Sequence, residues 1–273
     1  MGKFDGILIC TDLDGTLYKN DKTISKENKE AIEYFKGEGG LFTFVTGRMP
    51  YYSKQAYRAV APNAPFGCVN GGGVYDGATG KYVWSMPVAD GIFELIEGVD
   101  RAFDRVGIQV CTFDNTYFSK ENEVTVRFRR ETGLPNLPRH YRDVTEPVAK
   151  VLFCTEREEE LLAVERTLLS HPMADRFDFV RSERTLFEIL PKGVSKGLSI
   201  EKLTECLGID RGKTVAVGDY DNDVPMLRAA GLGIAVANAC PAAKEAADAV
   251  TVSNEEHAVA RLIYDIEKGV YRL

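Results

Sequence analysis

The chain has 273 residues, 44% hydrophobic and 27% charged, which suits one large or two medium domains with a sizeable buried core. Its formal net charge of −7, without a basic block, argues against nucleic acid as a partner. No apolar run approaches the roughly 20 residues needed to span a bilayer, and Asp5, Asp12 and Asp14 fall where a signal peptide would need an apolar segment. The six cysteines (Cys10, Cys68, Cys111, Cys154, Cys206, Cys240) are far apart and form no CxxC pair. Buried thiols in a reducing cytoplasm are the expectation.

Gly6 to Thr11 (GILICT) is nearly all apolar, as expected of a strand buried on both faces of a parallel sheet. Ser25 is a candidate N-cap for a helix over Lys26 to Lys36, with Ala31, Ile32 and Phe35 on one face. Gly37, Gly39 and Gly40 end it. Leu41 to Val45 and Phe66 to Val69 are further strands. The middle differs. Val88 to Val106 carries Ile92, Leu95, Ile96, Val99, Phe103 and Val106 at helical spacing. After it come β-rich stretches at Ile108 to Phe113, Tyr117-Phe118, Val148 to Cys154, Phe177 to Arg181 and Thr185 to Leu190. A helix over about Glu156 to Leu169 sits among them, and Glu131 to Pro138 reads as a loop. Towards the C-terminus, strands at Thr214 to Val217 and Leu232 to Val236 alternate with helical patterns at Ser195 to Leu207, Asp223 to Ala230, Pro241 to Ala247 and Glu255 to Glu267.

The β-α-β-α order at both ends predicts one α/β domain with a parallel sheet. The middle predicts an inserted α+β unit, with prolines marking the seams. The expected division is 1–86 with 189–273 for the outer domain and 87–188 for the insertion.

Four stretches carry chemistry. Asp12-Leu13-Asp14-Gly15-Thr16 follows the first strand, and ligands of open parallel sheets gather at the strands' carboxyl ends. Two carboxylates this close become tolerable with a divalent cation between them, and magnesium favours a few carboxylate oxygens plus water and phosphate. Gly218-Asp219-Tyr220-Asp221-Asn222-Asp223 places a second acidic cluster after the strand TVAV; a solvated loop capped by Asp223 is the alternative. Thr46-Gly47-Arg48 offers a hydroxyl and backbone N–H groups suited to an anionic oxygen. Lys196 starts a helix, where a cation opposes the helix dipole unless acidic groups are near. A surface lysine is the plainer reading, with Lys192 as the decoy.

Together these stretches resemble the haloacid dehalogenase-like phosphatases: a DxDGT motif, a Ser or Thr after the second strand, a Lys, and GDxxND, in that order. Asn70-Gly71-Gly72, LPKGVSKG and GDYDNDVPML resemble more particularly the Cof-like sugar phosphatases, which carry a large α/β (type IIB) cap. The resemblance implies a Rossmann-like core with an inserted cap, and a Mg²⁺-dependent phosphatase acting on a small phosphomonoester such as a sugar phosphate. It implies Asp12 as nucleophile and Asp14 as general acid and base, Asp12 ionised and Asp14 protonated at the first step. Magnesium would be held by Asp12, Asp219 and the backbone carbonyl of Asp14. Lys196 would neutralise nucleophile and phosphate. Thr46, Gly47, Arg48, Asn70 and Asn222 are the phosphate-side candidates, and Asp223 a supporting residue.

The cap is expected to exclude water and contact the substrate. Arg127, Arg129 and Arg130, which a strand would place on one face with period two for the first pair, and His140, Tyr141 and Arg142 are candidates for that contact, or else a solvated surface. A phosphohexomutase, a phosphatase for a riboflavin precursor, flavin nucleotide or pyridoxal phosphate, and a non-catalytic phosphosugar sensor are the rivals. Intact Asp12 and Asp14 argue against the sensor. The expected partner is a small phosphorylated metabolite, with neither nucleic acid nor membrane, for a cytoplasmic monomer or homodimer.

Overall fold

The computed structural model describes residues 2–271 and 273. Two compact units make up the chain, Met1–Ser85 with Ser195–Leu273, and Met86–Val194. The return from the second unit falls at Val194/Ser195, later than the expected 188/189. The last antiparallel strand runs through Pro191 and keeps the segment in the inserted unit.

In the first unit, β1 (Leu8–Thr11) is buried along its whole length. α1 (Lys26–Gly37) follows, with Ser25 Oγ accepting from the Asn28 N–H at 3.2 Å. Then come β2 (Leu41–Phe44), α2 (Lys54–Val60), β3 (Phe66–Cys68), β4 (Gly73–Asp76) and β5 (Lys81–Ser85). The inserted unit holds α3 (Ile92–Ala102), β6 (Gly107–Thr112), β7 (Thr116–Lys120), α4 (Glu123–Thr132), β8 (Val148–Cys154), α5 (Glu158–Leu169), β9 (Phe177–Glu183) and β10 (Leu186–Pro191). The chain returns through α6 (Lys196–Leu207), β11 (Thr214–Gly218), α7 (Val224–Ala229), β12 (Leu232–Ala235), α8 (Pro241–Ala246), β13 (Ala249–Val250) and α9 (Ala258–Glu267).

The main sheet of the first unit runs β13-β12-β11-β1-β2, each neighbour parallel. β1 lies between β11 and β2, so its carboxyl end, where Asp12 begins, is flanked by the ends of both. Phe66 to Val69 departs from the expected pattern. β3 heads a separate antiparallel sheet, β3-β4-β5, and meets the main sheet through a single parallel bridge, Val45↔Gly67.

The inserted unit is an antiparallel sheet, β7-β6-β8-β10-β9, with α3 and α5 on one face. Ile92, Leu95, Ile96 and Val99 of α3 and Leu161, Val164 and Leu168 of α5 pack there with Ile108, Val110, Val151, Phe153, Phe187 and Ile189. α3 is shorter than the helical spacing of residues 88–106 predicts. Gly91, at φ 95°, opens it and Phe103, in extended backbone, closes it, so Val106 reaches the core from outside the helix. The stretch holding Arg127, Arg129 and Arg130 is helix α4, not a strand. The Asn122 side chain accepts from the Thr125 N–H, Thr125 Oγ1 accepts from the Asn122 N–H, and Gly133 closes the other end. Cys10, Cys68, Cys111 and Cys154 are buried, whereas Cys206 is exposed and Cys240 half-buried. Among the described residues no helix is long and apolar enough to cross a membrane.

Candidate active site

Asp12 follows β1, and its N–H donates to the Val217 carbonyl of β11 at 2.8 Å. The chain then turns tightly over Leu13–Leu17, with Gly15 at φ 81°. A Cβ on Gly15 would stand 2.4 Å from Asp219 Oδ2, so the glycine lets the two acidic loops close on each other. Thr16 Oγ1 donates to Asp219 Oδ1 at 2.7 Å, and Asn238 Nδ2 donates to the Gly15 carbonyl at 2.8 Å.

Lys196 is the first residue of α6, whose cap is Ser195 Oγ accepting from the Leu198 N–H at 3.3 Å. Its ammonium donates to Asp12 Oδ1 at 2.6 Å and to Asp223 Oδ1 at 2.5 Å. Lys196 is 2% exposed, Asp12 6% and Asp223 0%, so this is a buried triad. Asp223 Oδ2 accepts from the N–H groups of Asp219 and Tyr220 at 2.9 and 3.0 Å. Asp223 is therefore engaged at both oxygens, aiming Lys196 and shaping the β11 loop. Lys192, the decoy, pairs with Asp178 in the other unit.

Burial pushes Asp12 well above the ordinary carboxylate range against the pull of Lys196, and the crowding of Asp223, Asp219 and Asp14 adds to the rise. Burial likewise lifts Asp219 to about 6. Burial alone would lower Lys196; Asp12 and Asp223 outweigh it and hold the ammonium charged. Asp14 behaves oppositely to Asp12. Arg48 Nη2 donates to both its oxygens at 2.9 and 2.8 Å, and Lys22 Nζ donates at 2.9 Å. Burial would raise Asp14, yet Arg48 and Lys22 outweigh it and hold the carboxyl below the usual range. The two aspartates are thus pushed in opposite directions. The cause is their partners: Asp14 faces two cations, whereas Asp12 shares one with Asp223 and stands among other carboxylates.

Among the described residues, Asp12, Asp219 and Asp223 each present a carboxylate oxygen, all within 4.8 Å of one another. Hard oxygen donors around a raised Asp12 and Asp219 suit a divalent cation such as Mg²⁺. The carboxylate of Asp14 lies outside this cluster, committed to Arg48 and Lys22.

On the β2 side, Thr46 is buried, its N–H donating to the Gly67 carbonyl at 3.0 Å and its Oγ1 accepting from the Arg48 N–H at 3.2 Å. Asn70 donates its N–H to the Thr46 carbonyl at 3.1 Å. Its Oδ1 accepts from Asn222 Nδ2 at 3.2 Å, linking the turn after β3 to the loop after β11. Val69, Asn70 and Gly71 all lie at positive φ (57°, 52° and 103°). Such backbone in a β-branched residue costs about 1–3 kcal/mol and persists where the surroundings impose it. At Gly71 the packing leaves no room for a side chain, since a Cβ there would lie 1.8 Å from the carbonyl oxygen of Ser195, the cap of α6.

The structure thus gathers Asp12, Asp14, Thr46, Gly47, Arg48, Asn70, Lys196, Asp219, Asn222 and Asp223 within the first unit. Two contributors lay outside the motifs. Lys22 sits in a tight turn at φ 62°, and Asn238 sits beyond β12. In the inserted unit the cap candidates are mostly tied to their own neighbours. Arg127 pairs with Glu156, Arg129 with Glu121, and Arg142 with Glu97, while His140 caps a short turn and Tyr141 is buried.

A family model described as haloacid dehalogenase-like hydrolase matches residues 9–263. The chain is 31% identical to the 5-amino-6-(5-phospho-D-ribitylamino)uracil phosphatase YitU of Bacillus subtilis, covering 94% of this chain and 96% of that one. It is 30% identical to the pyridoxal phosphate phosphatase YbhA of Escherichia coli, covering 94% and 97%. A haloacid dehalogenase-like hydrolase from Bacteroides thetaiotaomicron superposes with a TM-score of 0.86 at 26% identity, over 95% of this chain and 99% of that one. Motif order, a parallel sheet with an inserted antiparallel unit, and a match over nearly the whole length agree: the chain belongs to the haloacid dehalogenase-like hydrolases, and to their Cof-like branch.

Proposed function

We propose that the chain is a Mg²⁺-dependent phosphatase that hydrolyses a small phosphomonoester through an aspartyl-phosphate on Asp12. The observation that carries this reading is the buried Lys196 ammonium held between Asp12 and Asp223 at the end of β1, with Thr46 and Asn70 on the adjoining loops. A carboxylate fixed by a cation, beside donors suited to anionic oxygens, is what in-line phosphoryl transfer requires.

In this mechanism Lys196 holds Asp12 Oδ1, and an Asp12 carboxylate oxygen attacks phosphorus. The ester P–O bond breaks and its electron pair leaves on the alkoxide, which takes a proton from Asp14. Asp14 then removes a proton from water, whose oxygen attacks phosphorus, releasing phosphate and restoring Asp12. Asp14 can hold the transferable proton only when Arg48 gives up its two hydrogen bonds and Lys22 its one. A substrate phosphoryl group is the competing anion that would draw Arg48 away. Mg²⁺, when held by Asp12 and Asp219, would neutralise phosphoryl charge.

The substrates in the names of the two relatives share one chemistry, a phosphate ester of a primary alcohol. A sugar phosphate esterified at a primary carbon belongs to the same class. We place this chain's substrate there, with a ribityl phosphate of the riboflavin route and pyridoxal phosphate as the first to try. The test is phosphate release with Mg²⁺ from a panel of hexose, pentose and polyol phosphates, flavin mononucleotide and pyridoxal phosphate. Release from at least one member, lost with EDTA and in Asp12→Asn, is expected. No release from any member, or full activity in Asp12→Asn, contradicts the reading.

A further inference from the structure

Two asparagines outside the motifs tie the catalytic turn to the far edge of the main sheet. Asn238 follows β12 and Asn254 follows β13, strands that β11 separates from β1. Asn238 Nδ2 donates to the Gly15 carbonyl at 2.8 Å, and its Oδ1 accepts from the Asn254 N–H at 2.9 Å. Asn254 Nδ2 in turn donates to the Tyr18 carbonyl at 3.0 Å and to Asn20 Oδ1 at 3.2 Å. An asparagine side chain carries both donors and an acceptor, which lets Asn238 grip Gly15 and Asn254 at once.

The two carbonyls so held belong to the turn that bears Asp14. Its backbone is irregular: Asp14 lies at φ −81°, ψ 119° and Gly15 at φ 81°, ψ −4°. Such backbone keeps its shape where the surroundings hold it. Asn254 is 2% exposed and Tyr18 5%, so water cannot readily replace the donor to the Tyr18 carbonyl, and a buried carbonyl left bare is unfavourable. Glu255, beside Asn254, accepts from the Asn20 N–H at 2.7 Å and pairs with Lys19 at 3.4 Å. The segment that brings Lys22 to Asp14 is therefore held from the same side.

We propose that Asn238 and Asn254 form a strut that positions Asp14 for its work as general acid. By fixing the Gly15 and Tyr18 carbonyls, the strut fixes the backbone that aims the Asp14 carboxyl. Both are positioning residues, acting through the turn. The role given to Asp14 rests on the phosphatase reading; the strut itself rests on the hydrogen bonds.

The test uses Asn254→Ala, Asn238→Ala and the double variant in the full-length chain with Mg²⁺, on two esters. p-Nitrophenolate leaves without a proton, whereas the alkoxide of a primary alkyl phosphate needs one. With Asp14 misplaced, kcat/KM on the alkyl phosphate that the parent hydrolyses fastest should fall about a hundredfold. On p-nitrophenyl phosphate it should fall less than about fivefold. The double variant should show the same ratio of losses as the stronger single one, because the pair acts as a unit. Asn238 is exposed, so N238A carries the test should N254A not fold. Equal losses on the two esters, parental rates in both single variants, or ratios that multiply in the double variant overturn the proposal. Hydrogen exchange read by mass spectrometry gives an arm that needs no turnover. The peptide over residues 13–20 should exchange at least about tenfold faster in the variants, with the β2 peptide unchanged. Parental exchange over residues 13–20 overturns the strut. Faster exchange there, in a chain whose parent hydrolyses neither ester, upholds the strut and contradicts the phosphatase reading alone.

Discussion

Lys196→Met removes an ammonium that serves two carboxylates at once, at 2.6 Å to Asp12 and 2.5 Å to Asp223, and keeps an unbranched stem. Both carboxylates are nearly or wholly inaccessible, so water cannot replace the lost partner. Removing one member of a buried ionic pair costs about 3–5 kcal/mol. At about 2–4 °C per kcal/mol for a unit of this size, the thermal midpoint should fall by about 6–20 °C. The loss should also depend on pH. Asp12 already sits above its ordinary value through burial, opposed by Lys196 and reinforced by Asp223, Asp219 and Asp14; without Lys196 it rises further. A carboxyl raised in the folded chain binds its proton more tightly there than in the unfolded chain. It therefore costs stability only as pH climbs above its unfolded value of about 3.9. The deficit of K196M should be largest near about pH 7.5 and shrink towards about pH 5, as Asp12 takes up a proton. Thermal unfolding followed by circular dichroism, in EDTA at both pH values, measures it. Asp12→Asn in the K196M background should recover part of the loss. A K196M chain within about 1 kcal/mol of the parent at both pH values would refute the buried triad.

Gly15→Ala places a methyl 2.4 Å from Asp219 Oδ2 at a φ of 81°, so the Asp12 loop and Asp219 must separate. Because displacements of about 1 Å cost about a hundredfold in rate, kcat/KM on p-nitrophenyl phosphate should fall at least that far; a parental value contradicts the close approach. In the inserted unit Lys150 and Glu188 form a buried pair at 2.8 Å, 2% and 3% exposed. Lys150→Met alone should cost about 3–5 kcal/mol in urea unfolding, and adding Glu188→Leu should recover most of it; additive losses contradict this. Asn122→Ala removes the α4 cap and the Nδ2 bonds to the Arg105 and Cys154 carbonyls, and should cost about 1–2 kcal/mol; an unchanged urea midpoint contradicts it.

The α/β core was legible because its chemistry sits where strands end. GILICT is apolar enough to be buried on both faces, so the residues after it stand at a ligand-binding rim. Helix α4 was misread because Val124, Val126 and Phe128 alternate with Thr125, Arg127 and Arg129, a period of two. The reciprocal Asn122 and Thr125 hydrogen bonds start a helix there despite the alternation, and the Asn-x-x-Thr spacing with Gly133 ten residues after Glu123 was the available signal. The β4–β5 hairpin was passed over. Its turn is held by Asp76, which accepts from the Ala78 N–H at 2.9 Å and from Thr79 Oγ1 at 2.8 Å. The cation partners of the two aspartates were illegible for a different reason. Spacing shows that Asp12 and Asp14 are close, but not that Lys22 and Arg48 converge on Asp14 while Lys196 turns to Asp12. Those pairings depend on where three separate loops end.

The central claim is that Asp12 carries the phosphoryl group. Mass spectrometry of protein mixed with p-nitrophenyl phosphate and Mg²⁺, then acid-quenched within the first turnover, tests it directly. The account predicts the mass of one phosphoryl group on the peptide containing Asp12, and none in Asp12→Asn. A turning-over enzyme with no adduct at any quench time, or with the adduct on another residue, would contradict it.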